Sequence, residues 1–122
     1  EAIARLGEGE GQHRQWAQGV VADLEKRAPL SLKVTHRHIR DARALDLRQT
    51  LIVDYRLACR FLDGSDFYEG VRAALVDKDG RPKWRPTALG DVTPAIIEDY
   101  FAPMGAAELT LPTRQEMQAA RV

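Results

Sequence analysis

Hydrophobic residues recur at helical spacing along most of this chain, whereas no stretch shows the sustained alternation of an amphipathic strand. Between residues 12 and 27, Trp16, Val20 and Leu24 recur every four positions and predict one apolar stripe on a helix. Pro29 is expected to end this helix, because proline disrupts a helix interior. Residues 1–11 are predicted to be a flexible lead-in, since they are rich in glycine and glutamate.

A second helix is predicted from Ser31, as its N-cap, to about Arg40. Leu32 and Ile39 lie one heptad apart and would share its apolar face. The β-branched residues of this segment leave a strand as the alternative.

The clearest helix spans residues 47–63, with Asp46 as its N-cap and Gly64 after its end. Its predicted apolar arc covers about half of the circumference and leaves Val53 and Leu57 outside. The arc consists of Leu47, Leu51, Ile52, Tyr55, Ala58, Cys59, Phe61 and Leu62. A helix this apolar is expected to need a second packing partner.

A fourth helix is predicted from Asp66 to near Lys78, with Asp66 as N-cap and Glu69 completing a capping box. Its inward side chains would be Val71, Ala74 and Leu75.

The C-terminal third is expected to hold a short helical turn over residues 87–91 and a helix over residues 94–101. Thr93 and Pro94 predict the start of that helix, as an N-cap followed by proline at the first helical position. Residues 112–122 look weakly specified and are expected to form a tail. We therefore predict an all-α fold, a small irregular bundle of about five helices over residues 12–111.

Composition narrows the classes of function. A chain of 122 residues suffices for one domain, and 18 basic against 18 acidic residues give no net charge. Nucleic acid and an anionic membrane are therefore not expected as partners. Cys59 is the single cysteine, which excludes an internal disulfide, and no apolar run approaches the ~20 residues of a membrane span. These features predict a soluble intracellular protein.

The segment DFYEGVRAALVDKDGRPKW, residues 66–84, resembles the C-terminal region of 3-hydroxyisobutyryl-CoA hydrolases, a branch of the crotonase (enoyl-CoA hydratase/isomerase) superfamily. The resemblance continues through most of residues 29–111, including PLSLKVTHRHIRDARALDLRQTLIVDYRLACRFLDG and PTALGDVTPAIIEDYFAPMGAAELTL. It implies a parent enzyme that hydrolyses an acyl-CoA thioester in valine catabolism, in the cytoplasm or, in a eukaryote, in the mitochondrial matrix. It also implies that the oxyanion hole and the catalytic carboxylates belong to an N-terminal core outside these residues.

On that resemblance, this chain is a C-terminal helical domain that folds over its own N-terminal crotonase core. It would close one wall of the acyl-CoA site and take part in self-association through exposed apolar helix faces. We identify no catalytic residue, no metal ligand and no separate cofactor, coenzyme A being part of the substrate, and we expect the chain alone to be inactive. The alternatives are an enoyl-CoA hydratase or isomerase, and a non-catalytic crotonase-like module that binds another protein.

The loop DKDGRPKWR, residues 77–85, is the candidate for direct ligand contact. Cations beside an aromatic ring could hold the phosphates and adenine of coenzyme A. The candidate contacts are Lys78, Lys83, Trp84 and Arg85, with Arg81 in the same turn. The alternative is a set of solvated charges around a tryptophan that packs on the helices. A calcium loop of the EF-hand type is excluded, because its first and twelfth positions would fall on leucine and proline.

Other reactive side chains favour structural roles. His36 and His38 stand two apart on a predicted helix, so they point to nearly opposite sides and are not expected to bind a metal together. Cys59 is expected to be a buried apolar filler, and Glu69 a capping residue rather than a general acid. Asp54 has no basic neighbour three or four positions away, so any partner must come from elsewhere in the fold. The basic segment 33–43 is expected to face an acidic surface of the missing core.

Overall fold

The computed structural model describes residues 2–8 and 11–120, and within them the chain forms helices and loops but no strand. This confirms the predicted all-α class. None of the helices in these two ranges is long and apolar enough to cross a membrane. The α-helices are α1 (Ala2–Gly7), α2 (Arg14–Glu25), α3 (Pro29–Asp41), α4 (Leu47–Asp63), α5 (Asp66–Val71), α6 (Pro94–Phe101) and α7 (Arg114–Ala119).

Short segments of other helical types connect these elements. The turns of 3₁₀-helix are Gly11–His13, Ala42–Ala44, Leu89–Asp91 and Gly105–Ala107, and Arg72–Val76 continues α5 as a π-helix. The turn at Leu89–Asp91 lies within the predicted helical turn over residues 87–91.

The core lies where α3, α4 and α6 meet. Val34 and Val92 are each only 1% exposed, and Leu30 and Leu57 complete the buried cluster. Partly buried side chains of α4 and α6 pack around it, namely Val53, Phe61, Ile96, Ile97, Tyr100 and Phe101. Burial of aliphatic and aromatic area is the main source of stability for so small a fold.

Two helix starts match the sequence prediction in detail. The Asp46 side chain accepts a hydrogen bond from the Gln49 N–H, and the Gln49 side chain accepts one from the Asp46 N–H, so α4 begins with a complete capping box. The Thr93 side chain accepts from the Ile96 N–H, and Pro94 occupies the first turn of α6. Helix α4 spans Leu47–Asp63, as predicted.

The boundary between α2 and α3 differs from the prediction. Helix α2 ends at Glu25, and Pro29 begins α3 instead of ending α2. The N-cap of α3 is Ala28 rather than Ser31, without a side-chain hydrogen bond. Proline is well suited to the first helical position, because the N–H that it lacks would have no partner within the helix.

Helix α4 packs on a different face from the one that its apolar arc predicts. Leu57, which lies outside that arc, is the buried residue of α4, and Val53 packs against the core beside it. Phe61 is the member of the predicted arc that also packs there. The remaining apolar arc includes exposed residues spaced four, four, three and four apart: Leu47, Leu51, Tyr55, Ala58 and Leu62.

The start of α5 corrects the predicted capping box. Ser65 is the N-cap, Asp66 is the first helical residue, and neither Asp66 nor Glu69 caps the helix end. Beyond Val71 the helix widens to the π form, so α-helical spacing no longer predicts which side chains point inward. Ala73 is buried, while Ala74 and Leu75 are exposed, contrary to the prediction.

Both terminal regions contain helix where the sequence suggested little structure. Residues Ala2–Gly7 form α1, which packs against α2, so this part of the predicted lead-in is helical. Near the other end, α7 begins with a capping box between Thr113 and Glu116. Residues 1, 9, 10, 121 and 122 lie outside the described ranges, and the division into segments 1–11, 12–111 and 112–122 stays a prediction.

The segment after α6 is fastened to α4 by Arg56. Its guanidinium donates to both carboxylate oxygens of Glu108, at 2.9 to 3.1 Å, and to the Phe101 carbonyl at 2.6 Å. This pairing, with a further bond from the Met104 N–H, lowers the pKa of Glu108. Arg48 on α4 also donates to the carbonyl of Leu111.

Candidate functional site

In the candidate ligand loop, exposed and half-buried residues alternate. We call residues 81–86 the strap. The side chains of Arg81, Lys83 and Arg85 are exposed, while those of the alternate residues, two prolines and Trp84, are half-buried. The three cations therefore form one exposed row, the outer edge of the strap, and the half-buried residues form its inner edge.

Three carboxylates hold the backbone of the strap at alternate positions. The Arg81 N–H donates to Asp79 Oδ1 at 2.8 Å. The Lys83 N–H donates to Glu69 Oε1 at 2.7 Å, and the Arg85 N–H donates to Asp66 Oδ1 at 2.8 Å. Asp66 and Glu69 therefore fix a distant segment instead of capping their own helix. Their three-residue spacing predicted a capping box, and that prediction is wrong because both side chains accept from the strap.

Arg72 connects these carboxylates to one another. It donates to both oxygens of Glu69 at 2.8 and 2.9 Å, and to Asp77 and Asp79 at 2.6 and 2.7 Å. A fifth bond, at 3.3 Å, reaches the carbonyl of Arg81. A guanidinium has five N–H donors, so all of them have an acceptor here. We call Arg72 with Glu69, Asp77 and Asp79 the clasp.

The clasp favours the ionised form of two of its carboxylates, Glu69 and Asp79. The Arg72 guanidinium, with the Lys83 N–H second, lowers the pKa of Glu69 from its usual 4.5 to about 2. The pKa of Asp79 is also lowered, first by Arg72 and then by the Arg81 N–H. In both residues hydrogen bonds favour the charged form over the protonated form.

The chain turns sharply between α5 and the strap. Lys78 has a backbone φ of +55° and Gly80 one of +62°, so both adopt the left-handed conformation that favours glycine. The Gly80 N–H donates to the carbonyl of Ala73 at 3.1 Å and closes the π-helical end. The Lys78 side chain is exposed on this turn.

Trp84 is an anchor beneath the strap. Its indole N–H donates to the carbonyl of Lys26 at 3.0 Å, which joins the strap to the end of α2. Its ring lies 3.3 Å from where a Cβ on Gly70 would stand, so the absence of a side chain there permits the close contact. The packing role foreseen as the alternative for this tryptophan is thus present.

The predicted contact residues therefore divide into two groups. Lys83 and Arg85 share the outer edge with Arg81, whereas Trp84 lies on the inner edge and Lys78 on the preceding turn. The role of Arg72 could not be foreseen, because three of its five hydrogen bonds depend on the course of the chain after α5.

An open apolar groove of about 590 Å³ runs along the inner side of the strap. Phe61, Phe67, Val71 and Trp84 line it. Asp66 also lines this groove and is only 7% exposed. Its Oδ1 accepts the hydrogen bond from the Arg85 N–H, and its Oδ2 has no hydrogen-bond partner within the described residues.

His38 supplies the distant partner expected for Asp54. Its Nε2 lies 2.6 Å from Asp54 Oδ1, so a histidine of α3 meets a carboxylate of α4. His36 is exposed and does not join them. Within residues 2–8 and 11–120, no group of three or more histidine, cysteine, aspartate or glutamate side chains could hold a metal ion. Cys59 is half-buried.

Part of the basic segment 33–43 is already paired inside the fold. Lys33 donates to the carbonyl of Val92 at 2.7 Å. Arg37 pairs with Asp41 at 3.2 Å and with Glu98 at 2.5 Å, and lies 4.4 Å from the centre of the Phe101 ring. These contacts join α3 to α6 and leave fewer cations for an external acidic surface.

Together these features define a class: a helical module that offers a cationic outer edge and a broad exposed apolar helix face. The comparisons give the particular family. The chain belongs to the enoyl-CoA hydratase/isomerase family, whose sequence profile matches residues 1–101.

Similar proteins are several times longer than this chain. It is 42% identical over 86 residues to the mitochondrial 3-hydroxyisobutyryl-CoA hydrolase of Mus musculus, covering 70% of this chain and 22% of that protein. It is 39% identical over 111 residues to the probable 3-hydroxyisobutyryl-CoA hydrolase 2 of Arabidopsis thaliana, covering 85% of this chain and 29% of that protein.

Two solved structures share the helical arrangement. A carnitinyl-CoA dehydratase from Mycobacterium thermoresistibile superposes with a TM-score of 0.74 at 40% identity, covering 88% of this chain and 30% of that one. An enoyl-CoA hydratase from Rhodobacter sphaeroides 2.4.1 superposes with a TM-score of 0.79 at 31% identity, covering 91% and 32%.

Proposed function

We propose that the full-length protein containing this chain hydrolyses 3-hydroxyisobutyryl-CoA to the free acid and coenzyme A, in valine catabolism. The observation that carries this proposal is the identity of about 40% to proteins named for that activity, over 70% to 85% of the chain. In the reaction, water adds to the thioester carbonyl and the C–S bond breaks. The coenzyme A thiolate takes up a proton and leaves as the free thiol, and the acyl group becomes the free acid.

These residues act as a helical wall of the enzyme rather than as its catalytic centre. The exposed apolar arc of α4 supports this role, because an apolar face of this length is costly to leave in water. We propose that the N-terminal core of the protein covers it, and that a second copy can cover it when the core is absent.

The outer edge of the strap serves as a contact for coenzyme A. The candidate residues remain Lys78, Lys83, Trp84 and Arg85, with the cations directed at phosphate and Trp84 holding the strap in place from its inner edge. Phosphate oxygens are strong acceptors for charged donors, and arginine can engage them through two parallel bonds.

The test is an assay of the full-length protein with 3-hydroxyisobutyryl-CoA, in which a thiol reagent detects released coenzyme A. We expect thiol release that depends on enzyme concentration. Absence of release under conditions where a short enoyl-CoA is hydrated would reject the hydrolase assignment.

Hydration or dehydration of an acyl-CoA is the second candidate. It is favoured by the two solved structures, which are named as a dehydratase and a hydratase and match about nine tenths of this chain. Loss of enoyl absorbance without thiol release would support this candidate.

The cellular compartment proposed for the protein depends on whether its source is eukaryotic or bacterial. The vertebrate relatives, such as that of Mus musculus, are described as mitochondrial. We propose the mitochondrial matrix for a eukaryotic source and the cytoplasm for a bacterial one, which fractionation with detection of the full-length protein would test.

A further inference from the structure

The strap depends on an element that does not itself face the ligand. Its three cations, Arg81, Lys83 and Arg85, stand at alternate positions along the loop and are all exposed. Nothing in an isolated loop of this composition would maintain that arrangement. It is held by the three N–H bonds to Asp79, Glu69 and Asp66.

Arg72 is the common partner of two of these three carboxylates. It holds Glu69 through a two-point contact and Asp79 through one bond, and it also binds the carbonyl of Arg81. It therefore controls both the acceptors beneath the strap and one carbonyl within it. Since its five N–H groups all have acceptors, it has no donor left for a phosphate.

Arg72 also controls the charge beneath the row. Glu69, Asp77 and Asp79 each place an oxygen within 2.9 Å of this one guanidinium. Without it, three carboxylates would stand close together and repel one another. They would then attract the nearest cations, which are those of the strap itself.

We propose that Arg72 is a positioning residue for coenzyme A binding: by neutralising the clasp, it keeps the cations of the strap directed outward toward the phosphates. This inference rests on the proposed function of the strap. It assigns no contact with the ligand to Arg72 itself. The ligand chemistry is the diphosphate and 3′-phosphate of coenzyme A, and the pantetheine arm is not recognised by this row.

The inference is tested in the full-length protein with Arg72→Lys and Glu69→Gln. A lysine retains the positive charge but offers three donors on one nitrogen, so it cannot reproduce the five bonds. Glutamine keeps an acceptor for the Lys83 N–H but loses the carboxylate that Arg72 binds. Arg43→Lys, at an exposed site outside the strap, is the matched control.

Calorimetry gives the affinity for coenzyme A and for pantetheine, which lacks the phosphates. We expect Arg72→Lys to weaken coenzyme A binding roughly three- to tenfold, as for one weakened charge contact, and to change pantetheine binding less than about twofold. Glu69→Gln should lie between wild type and Arg72→Lys, and Arg43→Lys should match wild type. An equal loss for both ligands, or no loss for either, would overturn the inference.

A double variant tests whether Arg72 acts through the strap or independently of it. Lys83→Gln alone should also weaken coenzyme A binding, and combining it with Arg72→Lys should cost less than the product of the single effects, because both act on one row. A fully multiplicative loss would contradict the proposal. If Arg72→Lys lowers the melting temperature too far, Glu69→Gln with Lys83→Gln provides the same test.

The steady-state constants distinguish this inference from the proposed function. We expect Arg72→Lys to raise KM for an acyl-CoA and to leave kcat within about twofold, because positioning of the phosphates affects binding more than chemistry. If thiol release is absent but coenzyme A binding still falls, the hydrolase assignment fails and the positioning role stands. If thiol release is present and coenzyme A binding is unaffected, the opposite holds.

Discussion

At the residue scale, two carboxylates of α5 accept hydrogen bonds from backbone N–H groups that lie far away along the chain. Asp66 accepts from a residue 19 positions later and Glu69 from one 14 positions later. A three-residue spacing in a sequence favours a capping box, because capping is the local use of that pattern. The long-range use depends on where the strap runs, and residue spacing does not encode this.

Removing the Asp66 side chain should destabilise the fold measurably. Asp66→Ala leaves the Arg85 N–H without its acceptor in a wall where Asp66 is only 7% exposed, and such a loss costs about 1–3 kcal/mol. Urea unfolding measures the change in free energy. Asp99→Ala, at an exposed site on α6, should stay within about 0.5 kcal/mol of wild type.

The clasp predicts a particular response to acid. Glu69 has a pKa near 4.5 when unfolded and about 2 when folded, so its contribution to stability is complete above pH 4.5 and is lost as pH falls toward 2. Glu69→Gln should make the pH dependence of unfolding free energy shallower in that window. Glu25→Gln, at an exposed site on α2, should leave it unchanged, and an equal effect of both variants would refute the assignment to Glu69.

At the scale of elements, the sequence predicts where α4 begins and ends but not which of its faces is buried. Its ends are marked by local chemistry, and the sequence predicted both Asp46 at the start and Gly64 after the end, whereas the pairing of Asp46 with Gln49 was not predicted. Its buried face could not be predicted, because the helix carries two apolar arcs. The positions of α3 and α6 decide which arc faces the core. Likewise, the π-helical widening after α5 has no local signature in the residue spacing.

The two faces of α4 should respond differently to truncation. Leu57→Ala removes a side chain that is 7% exposed and should cost about 2–5 kcal/mol. Leu47→Ala removes one that is 74% exposed and should change the stability of residues 1–122 by less than about 0.5 kcal/mol. Denaturant unfolding of both variants checks this, and equal costs would show that the faces are assigned incorrectly.

At the scale of the whole molecule, the fold class and the family were accessible from the sequence, while the arrangement of the site was not. Helical periodicity is local, so an all-α fold could be predicted without knowing which helices meet. Lys83 and Arg85 were identified as candidates because several cations cluster beside Trp84 in the loop of residues 77–85. Their common edge with Arg81, and the clasp that fixes it, require the three-dimensional course of residues 77–86.

The exposed arc of α4 should make residues 1–122 prone to self-association when they are separated from the rest of the protein. We expect a hydrophobic dye to bind and self-association to grow with concentration, because apolar area in water favours association. Replacing Leu47, Leu51 and Leu62 by glutamine should reduce both effects. A strictly monomeric wild-type chain that binds no dye, measured by sedimentation and fluorescence, would contradict the covered-face interpretation.

We propose that these residues shape an acyl-CoA site whose chemistry is performed elsewhere in the protein. The most direct measurement compares thiol release from 3-hydroxyisobutyryl-CoA by the full-length protein and by purified residues 1–122 at equal concentration. We predict turnover by the full-length protein and none above background by residues 1–122. Hydrolysis by residues 1–122 alone would contradict the proposal that the catalytic groups lie elsewhere in the protein.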